Sequence, residues 1–282
     1  MRVVITGAGG NLGGKLTTHL QSAPWCSSIV GLDPKPITDS GKFRAVAADL
    51  RDPHDRRWID PVEQADAVVH FAAQNPQPDS SWPEAAQSVD MTLNLLQHVG
   101  HAGCRFVFAS SNHVMGGYKD APLPAGETLA AATSPKPGTR FFDGIEYQIP
   151  AAYGASKLMG ERAVAARCEA SLLTAVNIRI GWVQPGENRP DTVNPHGGGR
   201  RIGPGLPDST ELERARTWYR GMWMSNRDFL QLMEKALTVQ ADDWPSRAIT
   251  VSGVSDNEGT RWNLDDGRRW LGYAPRDNVA AG

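Results

Sequence analysis

The chain has 282 residues, a mass of 30.5 kDa and 40% hydrophobic residues, enough to bury the core of one large domain or of one domain with a small appendage. Its 29 Lys and Arg face 31 Asp and Glu, so the net charge of −2 offers no electrostatic footprint for nucleic acid or an anionic membrane, and neither partner is expected. Cys26, Cys104 and Cys168 are too scattered for a disulfide framework or a metal motif, no apolar run approaches the ~20 residues that span a bilayer, and Met1-Arg2 leads at once into a short strand instead of a signal-peptide core, so a cytoplasmic location is expected.

Residues 3–5 are an apolar, β-branched strand, and Gly7, Gly10 and Gly13 follow it at Gly-x-x-Gly-x-x-Gly spacing. Such a turn, opening a helix over 12–21, lets backbone N–H groups and the positive helix end meet a pyrophosphate; it also serves where a tight turn needs glycine for conformation alone. A second strand, 29–32, ends at Asp33, twenty residues beyond Gly13. An acidic side chain there accepts hydrogen bonds from both adenosine ribose hydroxyls and repels a 2′-phosphate, which favours NAD over NADP, with Lys35 as the cation that softens the preference. Asp49 follows a third strand, 43–47, where it can reach the adenine amino group or end a strand at the surface. The expected cofactor set is Gly7, Gly10, Asn11, Leu12, Gly13, Asp33, Asp49, Leu50, Phe71, Ala72 and Ala73, with Tyr153 and Lys157 from further along.

The pattern continues with a strand over 67–71, a helix over 82–98 with Val89, Leu93 and Leu96 on its apolar side, and a strand over 106–109 leading to Ser111. A helix over 152–167 precedes a strand over 172–178, and Ser225 caps a last helix reaching residue 238. Strands apolar on both sides, alternating with helices, predict an α/β fold, a doubly wound parallel sheet of the Rossmann type. The expected division is a dinucleotide-binding unit over 1–180 completed by 225–252, and a small substrate-binding portion from 181–224 and 253–282. Residues 119–150 and 184–210, rich in Pro and Gly, are long loops with two readings, binding segments or disorder.

Tyr153 and Lys157 stand four apart on the predicted helix and so share one face. A tyrosine with a free pKa near ~10 is a poor base, and a neighbouring ammonium lowers that value while holding the nicotinamide ribose. Ser111, at the carboxyl end of its strand, is placed to bond the same substrate oxygen. Asn112 and His113 beside it lack the carboxylate that a hydrolytic triad requires, and His196 has no partner at metal-ligand spacing, so no metal is expected. His70 reads as a packed core histidine and Trp182 as a pocket wall.

The glycine turn, Asp33, Ser111 and Tyr153-x-x-x-Lys157 together resemble the extended short-chain dehydrogenase/reductase superfamily, of the NAD-dependent epimerase/dehydratase type. Within it, the Phe108-to-Gly116 run, Arg179-Ile-Gly181, Trp223-Met-Ser225 ahead of Asp228 and the Leu271-to-Asn278 ending are similar to bacterial NAD-dependent uronate dehydrogenases. That resemblance implies oxidation of an acidic monosaccharide, a hexuronate or another anionic sugar such as a sulfonated hexose, at its anomeric carbon to the lactone. Tyr153 is then the base, Lys157 its electrostatic partner and Ser111 the orienting donor, while Asn112 and His113 bind sugar hydroxyls and Asn75 falls where the family has a small polar residue contacting substrate. Trp182 stands where the family has a small serine, which reshapes the sugar pocket. Arg216 and Arg220 flank the position from which the family clamps the substrate carboxylate, and Arg200 and Arg201 form a second candidate anion site or a solvated loop. Two other readings share these residues: a nucleotide-sugar epimerase or dehydratase that keeps NAD bound, and an NAD-binding protein without turnover. The resemblance also implies a homodimer or larger homo-oligomer pairing through helices 82–98 and 152–167.

Overall fold

The computed structural model describes all residues except 101–102, 122, 125, 194–201 and 282. Among the described residues, nine strands and seven α-helices run in the order β1 (Arg2–Thr6), α1 (Asn11–Ser22), β2 (Ser28–Asp33), β3 (Phe43–Ala47), α2 (Arg56–Glu63), β4 (Ala67–His70), α3 (Trp82–His98), β5 (Arg105–Ser111), β6 (Phe141–Phe142), β7 (Tyr147–Gln148), α4 (Ala152–Glu169), β8 (Thr174–Ile180), α5 (Ser209–Gly221), α6 (Asn226–Thr238), β9 (Ala248–Gly253) and α7 (Asp265–Leu271). Seven of the strands form one parallel sheet in the order β3-β2-β1-β4-β5-β8-β9. The chain starts at the centre, winds outward through β2 and β3, returns to β4 and then winds the other way. Crossing over from β1 to both neighbours leaves a crevice at the carboxyl ends of β1 and β4, where ligands of such sheets bind.

Both faces of the sheet are covered, which is why its central strands are apolar throughout: every residue of β4 and β5 is buried. On one face Leu16 and Leu20 of α1 and Phe229, Leu232 and Met233 of α6 pack over Val3, Ile5 and Val69. On the other, Trp58 and Ile59 of α2, Leu95 of α3 and Val164 of α4 pack over Val4, Val68, Phe106 and Phe108. Burying one Leu- or Phe-sized side chain contributes about 1.5–3 kcal/mol, so these two layers carry most of the driving force.

The strands and helices expected from sequence appear within a few residues of their predicted ends. Strand β9 adds a seventh parallel strand at the sheet edge, pairing Ala175–Ile180 with Ala248–Gly253, and α2, α5 and α7 are further elements that the sequence reading lacked. The segment 119–150 holds the small antiparallel hairpin β6–β7. Its tip, Gly144, receives residues 202–205 of the second loop, with Ile202 and Gly203 donating backbone hydrogen bonds to Asp143 and Gly205 to Gly144. A Cβ on Gly144, whose φ is +100°, would lie 1.9 Å from the Gly203 carbonyl oxygen, so only glycine permits that approach. The Leu271-to-Asn278 ending lies over the start of α6: the Arg276 and Asp277 amides donate to the Asp228 carboxylate, and the Tyr273 hydroxyl donates to the Val254 carbonyl. Among the described residues no helix is long and apolar enough to cross a membrane.

Candidate active site

The crevice is a cavity of about 960 Å³, running from the glycine turn past the ends of β2, β3, β4 and β5 to the start of α4 and the segment after β8. That volume lies at the upper end of the ~300–1,000 Å³ of ligand clefts.

At one end the turn after β1 is built for close approach. Gly7 has φ +67° and donates to the Leu32 carbonyl at 2.8 Å, and a Cβ on it would lie 3.0 Å from the Ala72 amide. A Cβ on Gly13 would lie 2.3 Å from the Gly7 carbonyl oxygen, a backbone collision. Helix α1 begins at Gly10 with no side-chain cap, so its first amides keep free donors beside Asn11 and Leu12 on the cavity wall. An uncapped helix end behind a glycine cradle fits a dinucleotide pyrophosphate.

Asp33 also lines the cavity; its Oδ2 accepts from the Gly9 amide at 3.1 Å and its Oδ1 from the Lys35 amide at 3.0 Å. Both bonds hold the carboxylate at the strand end while leaving it lone pairs for ribose hydroxyls. Asp49 lines the cavity too, but its two oxygens receive Arg51 Nε at 2.9 Å and Nη2 at 2.6 Å. This fork, chiefly its hydrogen bonds, pulls the Asp49 pKa below the usual carboxylate value. Leu50, Phe71, Ala72 and Ala73 complete the predicted cofactor wall. Beneath it lies a directional chain: the Ala72 amide donates to Thr6 Oγ1, which lies 2.7 Å from His70 Nδ1, while His70 Nε2 lies 3.0 Å from Thr92 Oγ1, whose proton goes to the Ser88 carbonyl. Thr6 and Thr92 thus fix His70 as the neutral Nε2–H tautomer, and burial pushes its pKa down to about 3. The core histidine is therefore a strut under the cofactor wall.

At the other end Tyr153, Lys157, Ser111, Asn112 and His113 meet. Lys157 is 5% exposed; its Nζ donates to the Ala109 carbonyl at 2.8 Å and lies 5.8 Å from the Tyr153 ring centre. Burial lowers its pKa to about 8. The Tyr153 phenol moves the other way, raised by burial and eased by the Ser111 hydroxyl. The sequence reading had Lys157 lowering the Tyr153 pKa. Desolvation outweighs the Ser111 hydrogen bond, so the phenol keeps its proton. His113 packs edge-on against Tyr153 at 5.7 Å, its Nδ1 lies 2.7 Å from Thr139 Oγ1, and burial pushes its pKa down to about 4, so it faces the cavity as a neutral ring. Asn112 donates its Nδ2 to the Ile180 carbonyl at 3.0 Å and leaves its Oδ1 buried without a partner.

Three predicted substrate contacts lie elsewhere. Asn75 is absent from the cavity wall: its amide is drawn to Glu84 at 3.4 Å while its Oδ1 accepts from Gln77 N. Arg216 is exposed on the outer side of α5 beside Glu213 at 3.7 Å. Arg220 donates to the Val279 carbonyl at 2.7 Å and to the Pro190 carbonyl at 3.4 Å, which ties it to the tail. Neither guanidinium lines the cavity, so the expected anion clamp is not formed by these residues. Arg200, Arg201 and His196 lie outside the described residues. No cluster of metal-ligating side chains occurs among the described residues.

Trp182 does wall the cavity, held by its amide to Met222 O at 2.8 Å and by its carbonyl to Met224 N at 3.0 Å. Against it stand Tyr219 and Met222, at the end of α5, which the sequence reading missed. The signal was present: Asp208 with Glu211 three residues on marks a helix start, and Ala215, Trp218 and Tyr219 recur at helical spacing. Asn11 donates its side-chain amide to the Val183 carbonyl at 2.9 Å, joining the cofactor turn to this wall.

The chain is similar in sequence and in fold to known proteins. An L-arabinose 1-dehydrogenase (NAD(P)+) from Haloferax volcanii is 29% identical over 99% of this chain and 98% of its own. An NAD-dependent glucose-6-phosphate dehydrogenase from the same organism is 28% identical over 99% of this chain and 94% of its own. The crystal structure of a glucuronic acid dehydrogenase from Chromohalobacter salexigens shares the fold with a TM-score of 0.71, at 22% identity over 99% of this chain and 86% of its own. The model of the NAD dependent epimerase/dehydratase family matches residues 3–195. With that match spanning more than half of the sequence and the glycine cradle, Asp33, Ser111, Tyr153 and Lys157 gathered on one cavity, the chain belongs to the NAD-dependent epimerase/dehydratase family and has NAD as its cofactor.

Proposed function

We propose that this NAD-dependent oxidoreductase acts at the anomeric carbon of a monosaccharide, converting the cyclic sugar to its lactone. The observation that carries the reading is the convergence of Tyr153, Lys157 and Ser111 at the end of the cavity remote from the glycine turn, where a sugar hydroxyl can meet both hydroxyl-bearing side chains. Bound NAD supplies the acceptor for the hydride leaving the anomeric carbon and a positive charge beside it. Ser111 orients the anomeric hydroxyl, and Tyr153 takes its proton as the carbonyl forms. The phenol must first shed its own proton against the burial that raises its pKa. Lys157, anchored on the Ala109 carbonyl, holds an ammonium on the same face of α4 to favour that phenolate. Relatives acting on L-arabinose and on glucose 6-phosphate at close to full-length coverage support sugar dehydrogenation.

The test is NADH absorbance with purified protein, NAD and a panel of L-arabinose, other aldopentoses, glucose 6-phosphate, glucuronate, galacturonate and a UDP-sugar. Stoichiometric NADH with at least one free sugar is expected, and Tyr153→Phe should lower kcat by at least about 10²-fold while NAD binding stays intact. Conversion of the UDP-sugar without net NADH would establish an epimerase or dehydratase instead, and NAD binding with no turnover on any substrate would leave a non-catalytic NAD-binding protein.

A further inference from the structure

At the end of the cavity remote from the glycine turn, His113 Nε2 and the Tyr219 hydroxyl have no hydrogen-bond partner among the described residues. Tyr219 is 2% exposed and lines the cavity, and its hydroxyl makes no hydrogen bond to any described residue. Its ring meets Trp182 edge-on, centres 5.3 Å apart, forming an aromatic corner. Among the described residues the Lys and Arg side chains on the cavity are Lys35, Arg51 and Lys157. Lys35 is beside Asp33 at the adenosine end, Arg51 is forked onto Asp49 and Gln87, and Lys157 is bonded to Ala109. A carboxylate or phosphate pressed against the aromatic corner would be desolvated with Lys35 at the other end of the cavity and Arg51 and Lys157 already hydrogen-bonded, at a cost of several kcal/mol. A neutral sugar meets no such penalty: its C–H face packs on the rings while its hydroxyls can meet the Tyr219 hydroxyl and His113 Nε2.

We propose that Tyr219 and Trp182 are the specificity-determining residues and select a neutral aldose, with the Tyr219 hydroxyl bonded to a sugar hydroxyl other than the one oxidised. This rests on the sugar-dehydrogenase reading above and deepens it. It gives Tyr219, on α5, a part in selection where the sequence resemblance had put an anion clamp.

The experiment is steady-state kinetics of the wild-type protein, Tyr219→Phe and Trp182→Ala with L-arabinose, its monodeoxy analogues, glucuronate and glucose 6-phosphate, together with NAD affinity by calorimetry. Wild type should prefer the neutral aldose to both anionic sugars. Tyr219→Phe should lower kcat/KM for that aldose about tenfold, the equivalent of roughly 1.4 kcal/mol, through KM and with NAD affinity unchanged. For the one deoxy analogue lacking the hydroxyl that Tyr219 holds, wild type and variant should be equal. Trp182→Ala should lower kcat/KM for the neutral sugar and narrow its margin over glucuronate. Wild-type preference for an anionic sugar, or Tyr219→Phe acting like wild type on the full aldose, overturns the assignment of these residues and leaves sugar oxidation standing. Absence of NADH with every sugar overturns the underlying reading itself.

Discussion

Glu161 and Arg179 form a buried pair behind the reacting end, and removing one half of it should be costly while removing both should not. Arg179 on β8 forks onto Glu161 on α4 with both N–O distances at 2.9 Å, and Ser110 of β5 donates to the same carboxylate at 2.5 Å. The two residues are 4% and 5% exposed, so neither charge can turn to water. Glu161→Leu therefore strands a guanidinium, a loss of about 3–5 kcal/mol. An unfolding entropy of about 2.1 cal/mol/K per residue gives about 0.6 kcal/mol/K for this chain, so the melting midpoint should fall by about 5–8 °C. The double variant Glu161→Leu with Arg179→Met removes both charges and fills their volume, leaving mainly the unpaired Ser110 hydroxyl at about 1–3 kcal/mol. It should recover at least half of the lost midpoint. Differential scanning calorimetry of wild type, both single variants and the double variant closes the cycle. A double variant that falls by the sum of the singles, or a Glu161→Leu shift under about 2 °C, would show that the pair does not act as one unit.

Two other expectations follow from burial. Gly13→Ala places a methyl on the Gly7 carbonyl oxygen at 2.3 Å and should weaken NAD binding at least tenfold by calorimetry, whereas Gly14→Ala, whose nearest neighbour is Ala8 O at 4.0 Å, should bind NAD normally and gain about 0.4–1 kcal/mol; equal behaviour of the pair refutes the cradle. His70 and His113 have folded pKa values near 3 and 4, below the unfolded 6.5, so between those values and 6.5 the unfolded chain binds more protons. Stability from these groups is then complete above 6.5 and lost as pH falls, by about 1.4 kcal/mol per unit for each histidine. Urea midpoints from pH 7 to 5 should fall accordingly, and a His113→Asn variant should show a shallower slope; an unchanged slope removes His113 from the account.

The doubly wound sheet was legible because its central strands carry branched apolar residues on both faces, a pattern that few other folds allow. Glycine spacing located the cofactor turn for the same kind of reason: Gly7 and Gly13 are dictated by backbone approach, which depends on the residues themselves. Elements with mixed composition escaped. Helix α2 has only eight residues with Pro61 inside it, and in α5 the apolar positions Ala215, Trp218 and Tyr219 are interleaved with charged residues, so the helical spacing of both is easily passed over. Side-chain direction was the least legible property. Asn75, Arg216 and Arg220 sit close in sequence to the cavity, yet each turns to a nearer partner, Glu84, Glu213 or the tail carbonyls. The direction of the Tyr153 shift escaped for another reason: helical spacing reveals the neighbouring ammonium but not the depth at which the ring is buried.

The hydrogen bond from Asn11 to Val183 spans most of the chain between two ends of one cavity. Its side chain stands on the glycine turn while its acceptor adjoins Trp182, so the two ends of the cavity wall are tied to each other by one bond. Thermodynamic reciprocity then makes the two ligands partners: whatever factor occupancy by one changes the affinity of the other, the reverse factor is identical. An Asn11→Ala variant, which removes that amide contact, should therefore change the two mutual affinities by one and the same factor.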